Sequence, residues 1–266
     1  MITRLFPQGI YNKVINSWEE TNKKRKHPRT YTVLRLTGND ANKNAIFSSY
    51  KLGIKWRMIF RGYIAKIASL LPPSNLQKIF LRVAGLKIDE DVFIAPEITI
   101  DVVFGGWTRF RKGSSAGIRV NCFNHLFEQN GRIILGYIDI GESASLGGFV
   151  TIAPGVTIGK SADIGAEVKI GPGVKIGNYA KIGPGSMITP FITIGEGAIV
   201  TTGSVVLENV KPYTKVYGNP AKVINEKVKI KKDKRLIMSD YKLLNVESYT
   251  TEDMIPQQIF SSIKQN

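Results

Sequence analysis

The chain has 266 residues, 43% of them hydrophobic, which is enough for one or two domains around a substantial core. Lys and Arg number 37 against 21 Asp and Glu, a formal charge of +16 that suits a negative partner: a nucleotide cofactor, an anionic glycan, an anionic membrane surface or nucleic acid. The single Cys122 excludes an intrachain disulfide, no run of about 18 apolar residues spans a bilayer, and no leader pattern opens the chain, so the cytoplasm is the expected compartment.

Residues 1–50 hold a basic cluster at 23–29 and a polar stretch at 38–44, neither of which reads as a core element. The cluster is either a solvated loop or an arm for phosphate or glycan. Over residues 51–71, Leu52, Trp56, Ile59, Phe60, Tyr63, Ile67, Leu70 and Leu71 recur at helical spacing, with Lys51, Lys55 and Lys66 on another side. That pattern predicts a basic amphipathic helix. Its stripe either packs on the protein's own core or lies on an anionic membrane surface at the inner face of the membrane. Pro72 and Pro73 stop it, Ser74 or Asn75 caps a second helix of about ten residues, and Gly85 ends that one.

At Ile88 a period of six begins, with Ile94 and Ile100 in the same phase. The phase shifts near 101–103, after which Phe104, Phe110, Ala116 and Cys122 keep the new one until Glu128 breaks it; Ile134 restores it. Residues 125–136 are therefore expected to leave the repeat as a surface loop. From 140 to 206 the beat is unbroken: Ile140, Leu146, Ile152, Ile158, Ile164, Ile170, Ile176, Ile182, Ile188, Ile194, Val200 and Val206. A glycine usually follows each aliphatic residue, and these glycines and Asn178 are read as corner residues that accept positive φ. Hexapeptide repeats are a signature of parallel β-helices, in which three short strands make one triangular coil and like positions stack at about 4.8 Å. The expected architecture is mainly β, about six coils, divided into an N-terminal helical extension (1–87), the β-helix (88–210) and a closing segment with its tail (211–266).

The hexads, the interrupting loop with a histidine at its start, and the closing segment at 203–206 and 218–224 (Gly218-Asn219-Pro220-Ala221-Lys222-Val223-Ile224) resemble the left-handed β-helix acyltransferases over about residues 85–225. The closer likeness is to the maltose, galactoside and polysaccharide O-acetyltransferase branch. The resemblance implies a left-handed parallel β-helix, a homotrimer and acetyl-CoA as co-substrate, with no metal. It also implies an acetyl group moved to a hydroxyl of a sugar or polysaccharide precursor.

Such a transfer needs a base, and imidazole is well poised near neutral pH. Of two histidines, His27 lies in the basic cluster, whereas His125 matches the catalytic histidine implied by the resemblance; its tautomer needs a partner that the sequence does not identify. Asn124 either orients the acceptor or simply makes a turn. By the resemblance, backbone N–H groups at Gly147 and Gly148 serve the oxyanion. By the same resemblance, Thr202 and Gly203 would flank the pantetheine arm of acetyl-CoA, and Lys222 would approach its phosphates. The chain departs from the family pattern at Leu207 and Glu208, where Thr-Lys is usual.

Cys122, in an inward position, is read as a core thiol. An N-acetyltransferase acting on an amino sugar, a serine-type acetyltransferase and a non-catalytic binding β-helix are the alternatives. A zinc carbonic anhydrase needs three histidine ligands, and the repeats hold one. A nucleotidyltransferase needs a Gly-rich nucleotide domain that the sequence lacks. Nucleic acid is not an expected partner, because no basic patch is interleaved with aromatics.

Overall fold

The computed structural model describes residues 30–35, 56–101, 104–128 and 132–225. The basic cluster at 23–29, the polar stretch at 38–44, the first turn expected at 51–55 and the tail from 226 lie outside the described residues.

The hexads form a parallel β-helix with three faces and about seven turns. Its rungs are mostly two residues long. The first face stacks Lys87–Ile88, Thr108–Phe110, Ile138–Ile140, Thr157–Ile158, Lys175–Ile176 and Thr193–Ile194. The second stacks Phe93–Ile94, Ser115–Ala116, Ser145–Leu146, Asp163–Ile164, Lys181–Ile182 and Ile199–Val200, and the third runs from Thr99–Ile100 through Asn121–Cys122 and Thr151–Ile152 to Val205–Val206. The register is in phase with the sequence period: Ile140 pairs with Ile158, Ile158 with Ile176 and Ile176 with Ile194. All these aliphatic residues are buried, so each coil rests its core on the next.

The glycine after each aliphatic residue has a different cause from the one expected. Positive φ falls two residues later, at Ser143, Ser161 and Tyr179 on the first corner and at Glu97, Arg119, Phe149 and Glu167 on the second. At Gly141 the constraint is instead close approach, because an added Cβ would stand 2.6 Å from the Gly159 backbone. Asn178 is not at positive φ either; its Oδ1 accepts the N–H of Lys160 from the coil before (2.9 Å).

Two helices close the first coil. Helix α1 spans Trp56–Leu70 and α2 spans Asn75–Val83, with Pro72 and Pro73 between them. Ser74 caps α2 by accepting the N–H of Gln77 (3.1 Å), and Gly85 ends it at φ 114°. Ala68, Leu81, Ala84 and Leu86 are buried against the coil, whereas Phe60, Tyr63, Ile67 and Leu70 face outward. The apolar stripe read from the sequence is therefore not the face that packs on the core.

The expected loop at 125–136 is a β-hairpin. Strands β2 (His125–Phe127) and β3 (Arg132–Gly136) pair antiparallel, and β1 (Tyr31–Arg35) adds to the outer edge of β3. Ile133, Ile134 and Leu135 are all buried, so Ile134 belongs to the hairpin and not to the hexad phase. After Val206 the coil continues: Val210 bridges to Ile194, and β4 (Lys215–Gly218) extends the second face. Strand β5 (Ala221–Asn225) then returns antiparallel to β4.

Candidate active site

His125 stands where the third face ends and the hairpin departs. Thr99 pairs with Asn121 and Ile100 with Cys122, so the next residue of the earlier coil, Asp101, is carried to the same corner as Asn124 and His125. The Asp101 Oδ2 is hydrogen-bonded to His125 Nδ1 and also accepts the Asn124 N–H (3.1 Å). Its Oδ1 accepts the Phe104 N–H (3.0 Å). The Asp101 side chain is only 1% exposed, while the imidazole is 26% exposed. A carboxylate bonded to Nδ1 selects the tautomer in which Nδ1 carries the proton, which leaves Nε2 as the basic nitrogen. Phe104 meets the imidazole edge-on, ring centroids 5.7 Å apart, and helps to fix its plane. Trp107 stacks beside Phe104 at 4.9 Å and Tyr137 beside Trp107 at 4.8 Å, so a row of half-buried rings runs away from the histidine.

Asn124 is fully buried, which does not suit direct contact with an acceptor. Its Nδ2 donates to the Gly136 carbonyl (3.0 Å), its Oδ1 accepts from Thr108 Oγ1 (2.8 Å), and its own carbonyl accepts the Gly136 N–H (2.9 Å). It thus ties the two ends of the hairpin together and holds both to the preceding first-face rung, Thr108–Phe110. Gly136 has no room for a side chain, since a Cβ there would lie 2.2 Å from the Gly155 nitrogen.

The other expected site residues lie along the second corner, between the second and third faces. Gly147 and Gly148 are one corner away from His125 within the chain. The Gly147 N–H is engaged by the Ile164 carbonyl (2.7 Å), and a Cβ on Gly147 would lie 2.5 Å from the Ala166 nitrogen, so this glycine serves coil stacking. Thr202 and Gly203 are exposed on the same corner three coils on, and nothing stands within 4 Å of a Cβ built on Gly203. The Gly218 N–H donates to Ser204 Oγ (3.2 Å), which sets the turn into β5, and hence exposed Lys222, beside them. Cys122 is fully buried and desolvation pushes its thiol up to about 12, which fits a core residue and not a nucleophile.

Residues 173–208 match the family described as bacterial transferase hexapeptide (six repeats). Among solved structures, this hexapeptide chain is similar to a hexapeptide transferase family protein from Anaplasma phagocytophilum, with 22% identity over 52% of this chain and 77% of that one and a TM-score of 0.42. It is also similar to a hexapeptide-repeat-containing acetyltransferase from Vibrio cholerae O1 biovar eltor complexed with acetyl coenzyme A, at 19% identity over 64% and 86% of the two chains (TM-score 0.44). An N-acyltransferase from Bacillus cereus, in complex with dTDP and 3-hydroxybutyryl-CoA, is similar at 17% identity over 59% and 91% (TM-score 0.37). No curated protein matches the chain.

The matched hexapeptides lie beyond the corner that holds His125. Asp101 is the site residue that sequence reasoning missed. Its signal was the shift of hexad phase at 101–103: a break at one coil and a second break 24 residues later fall on the same corner.

Proposed function

We propose that this protein is an acetyltransferase that moves an acetyl group from acetyl-CoA to a hydroxyl of a sugar or polysaccharide precursor. The observation that carries the reading is the His125–Asp101 pair, an imidazole held by a buried carboxylate at the corner of a hexapeptide coil. His125 Nε2 takes the hydroxyl proton as the acceptor oxygen attacks the thioester carbonyl. The new C–O bond gives a tetrahedral oxyanion, and Asp101 stays ionised beside the imidazolium. Cleavage of the C–S bond then releases the CoA thiolate, which receives the proton from Nε2, leaving the acetyl ester, free CoA thiol and neutral histidine. The Phe104, Trp107 and Tyr137 rings offer flat apolar surface of the kind on which sugar C–H groups pack, next to the base.

Acetyl-CoA is proposed to lie along the second corner, with Thr202 and Gly203 against the pantetheine arm and Lys222 toward the phosphates. A single chain keeps that corner apart from His125, so the complete site needs the second corner of another copy against the His125 corner of the first, as in a homotrimer. The Gly147–Gly148 corner of the neighbouring copy then faces the base. The Gly147 N–H is already bonded, which leaves the Gly148 N–H as the oxyanion donor in this arrangement.

The test is acceptor-dependent release of CoA thiol from acetyl-CoA over a panel of sugars and polysaccharides. Wild type is expected to release thiol with at least one acceptor and to melt at higher temperature with CoA present. His125→Ala should keep the thermal shift and lose the release. Undiminished release by the variant, or no shift with CoA, overturns the reading.

A further inference from the structure

The helical cap departs from what a soluble coil end requires. Terminal caps of stacked-repeat proteins need a polar outer face, because their inner face already covers the core. Here the inner face is formed by Ala68, Leu81 and Ala84, all buried, and the outer face is apolar as well. Phe60, Tyr63, Ile67 and Leu70 of α1, at helical spacing along one side, are 58%, 69%, 48% and 65% exposed. Leu76, Ile79 and Val83 of α2 repeat the pattern at 54%, 53% and 50%. A patch of this size on a cap marks an interaction surface.

Charge decides what covers it. Between Asp40 and Asp89 the sequence has no acidic residue, and the cap itself carries Arg57, Arg61, Lys66, Lys78 and Arg82. Lys66 and Arg82, both exposed, each follow an outward apolar residue by three positions, Tyr63 and Ile79, and so border the two stripes. A second copy docking cap to cap would bring like charges together with no acid to offset them. A soluble polyanion would engage the cations and leave the apolar side chains in water. An anionic bilayer surface satisfies both, taking the apolar stripe below its headgroups while its lipids meet the basic side chains. No described helix is long and apolar enough to cross a membrane.

We propose that the α1–α2 cap is a peripheral membrane-docking surface that seats the end of the β-helix on anionic lipid, with the coil axis rising from it. The proposal stands independently of the acetyl-transfer reading.

The test is flotation of the full chain with vesicles of phosphatidylcholine containing about 30 mol% phosphatidylserine, against vesicles of phosphatidylcholine alone. Binding is expected to the anionic vesicles and to weaken as salt is raised. The double variant Ile67→Glu/Ile79→Glu, at exposed positions, should lower the partition coefficient at least tenfold while its melting temperature and oligomeric state stay those of wild type. Lys66→Glu/Lys78→Glu should weaken binding to anionic vesicles without exposing core. Three results overturn the proposal. The wild type fails to float with anionic vesicles; the apolar-to-Glu variant floats as well as wild type, so that basic segments elsewhere suffice; or that variant breaks up an assembly of copies, which makes the patch a subunit interface.

Discussion

Two stretches of the same coil behave in opposite ways. Over residues 140–206 every inward position is set by its neighbours above and below, so the chain repeats one solution and the environment of Ile158 is nearly that of Ile176. At the corner of Asp101 and His125 nothing repeats: a short insertion containing a 3-10 turn at Gly105–Trp107 separates two rungs of adjacent coils, and a hairpin separates the next two. Regular stacking makes a rigid ruler whose corners repeat from coil to coil. The His125–Asp101 pair is placed where an insertion lets a residue of one coil meet a residue of the next.

Breaking each stretch in turn should give distinct signatures. His125→Ala should lower kcat by about 10³-fold or more with the melting temperature unchanged, measured by thiol release, since base, tautomer and proton return are lost together. In the regular stretch Ile164→Ala should do the reverse, costing about 2–5 kcal/mol of stability by calorimetry with the chemistry at the corner retained. Asp101→Asn keeps the size of the side chain but offers Nδ1 no carboxylate; kcat should fall by roughly 10²-fold, with the pH profile of kcat changed as a merely structural role would not change it. Gly185→Ala sits at φ 67° in open space and should cost only about 1 kcal/mol. Smallest of all, Cys122, raised to about 12 by burial, should stay unreactive to a thiol reagent at neutral pH until the coil is unfolded.

How far the sequence could be read follows the same division. The rungs were legible because a period of six with aliphatic residues inward has one good packing, and the helix ends were legible from Ser74 and Gly85. Strand β1 was not, because Tyr31–Arg35 becomes a strand only by pairing with β3 about a hundred residues later, a partner that no local pattern names. The hairpin reads as a loop in the sequence for a related reason: Ile133, Ile134 and Leu135 are buried on successive positions, so the alternation that announces a half-exposed strand is absent. At the site, His125 was found by residue type and position. Asp101 is not legible because its link to His125 arises from coil register, and the chemistry of Asn124 does not reveal that burial among Thr108 and Gly136 decides its work.

The return strand β5 bears on how large an object this chain can build. A parallel coil ends in unpaired edges, and stacked rungs would let copies add end to end without limit. Strand β5 fills the last edge of the second face with a chain running the opposite way, and α1 and α2 cover the first coil. On the second face the parallel stacking therefore stops at β5, and the first coil lies under helices, so neither place offers the matching parallel rung that end-to-end addition of copies would use.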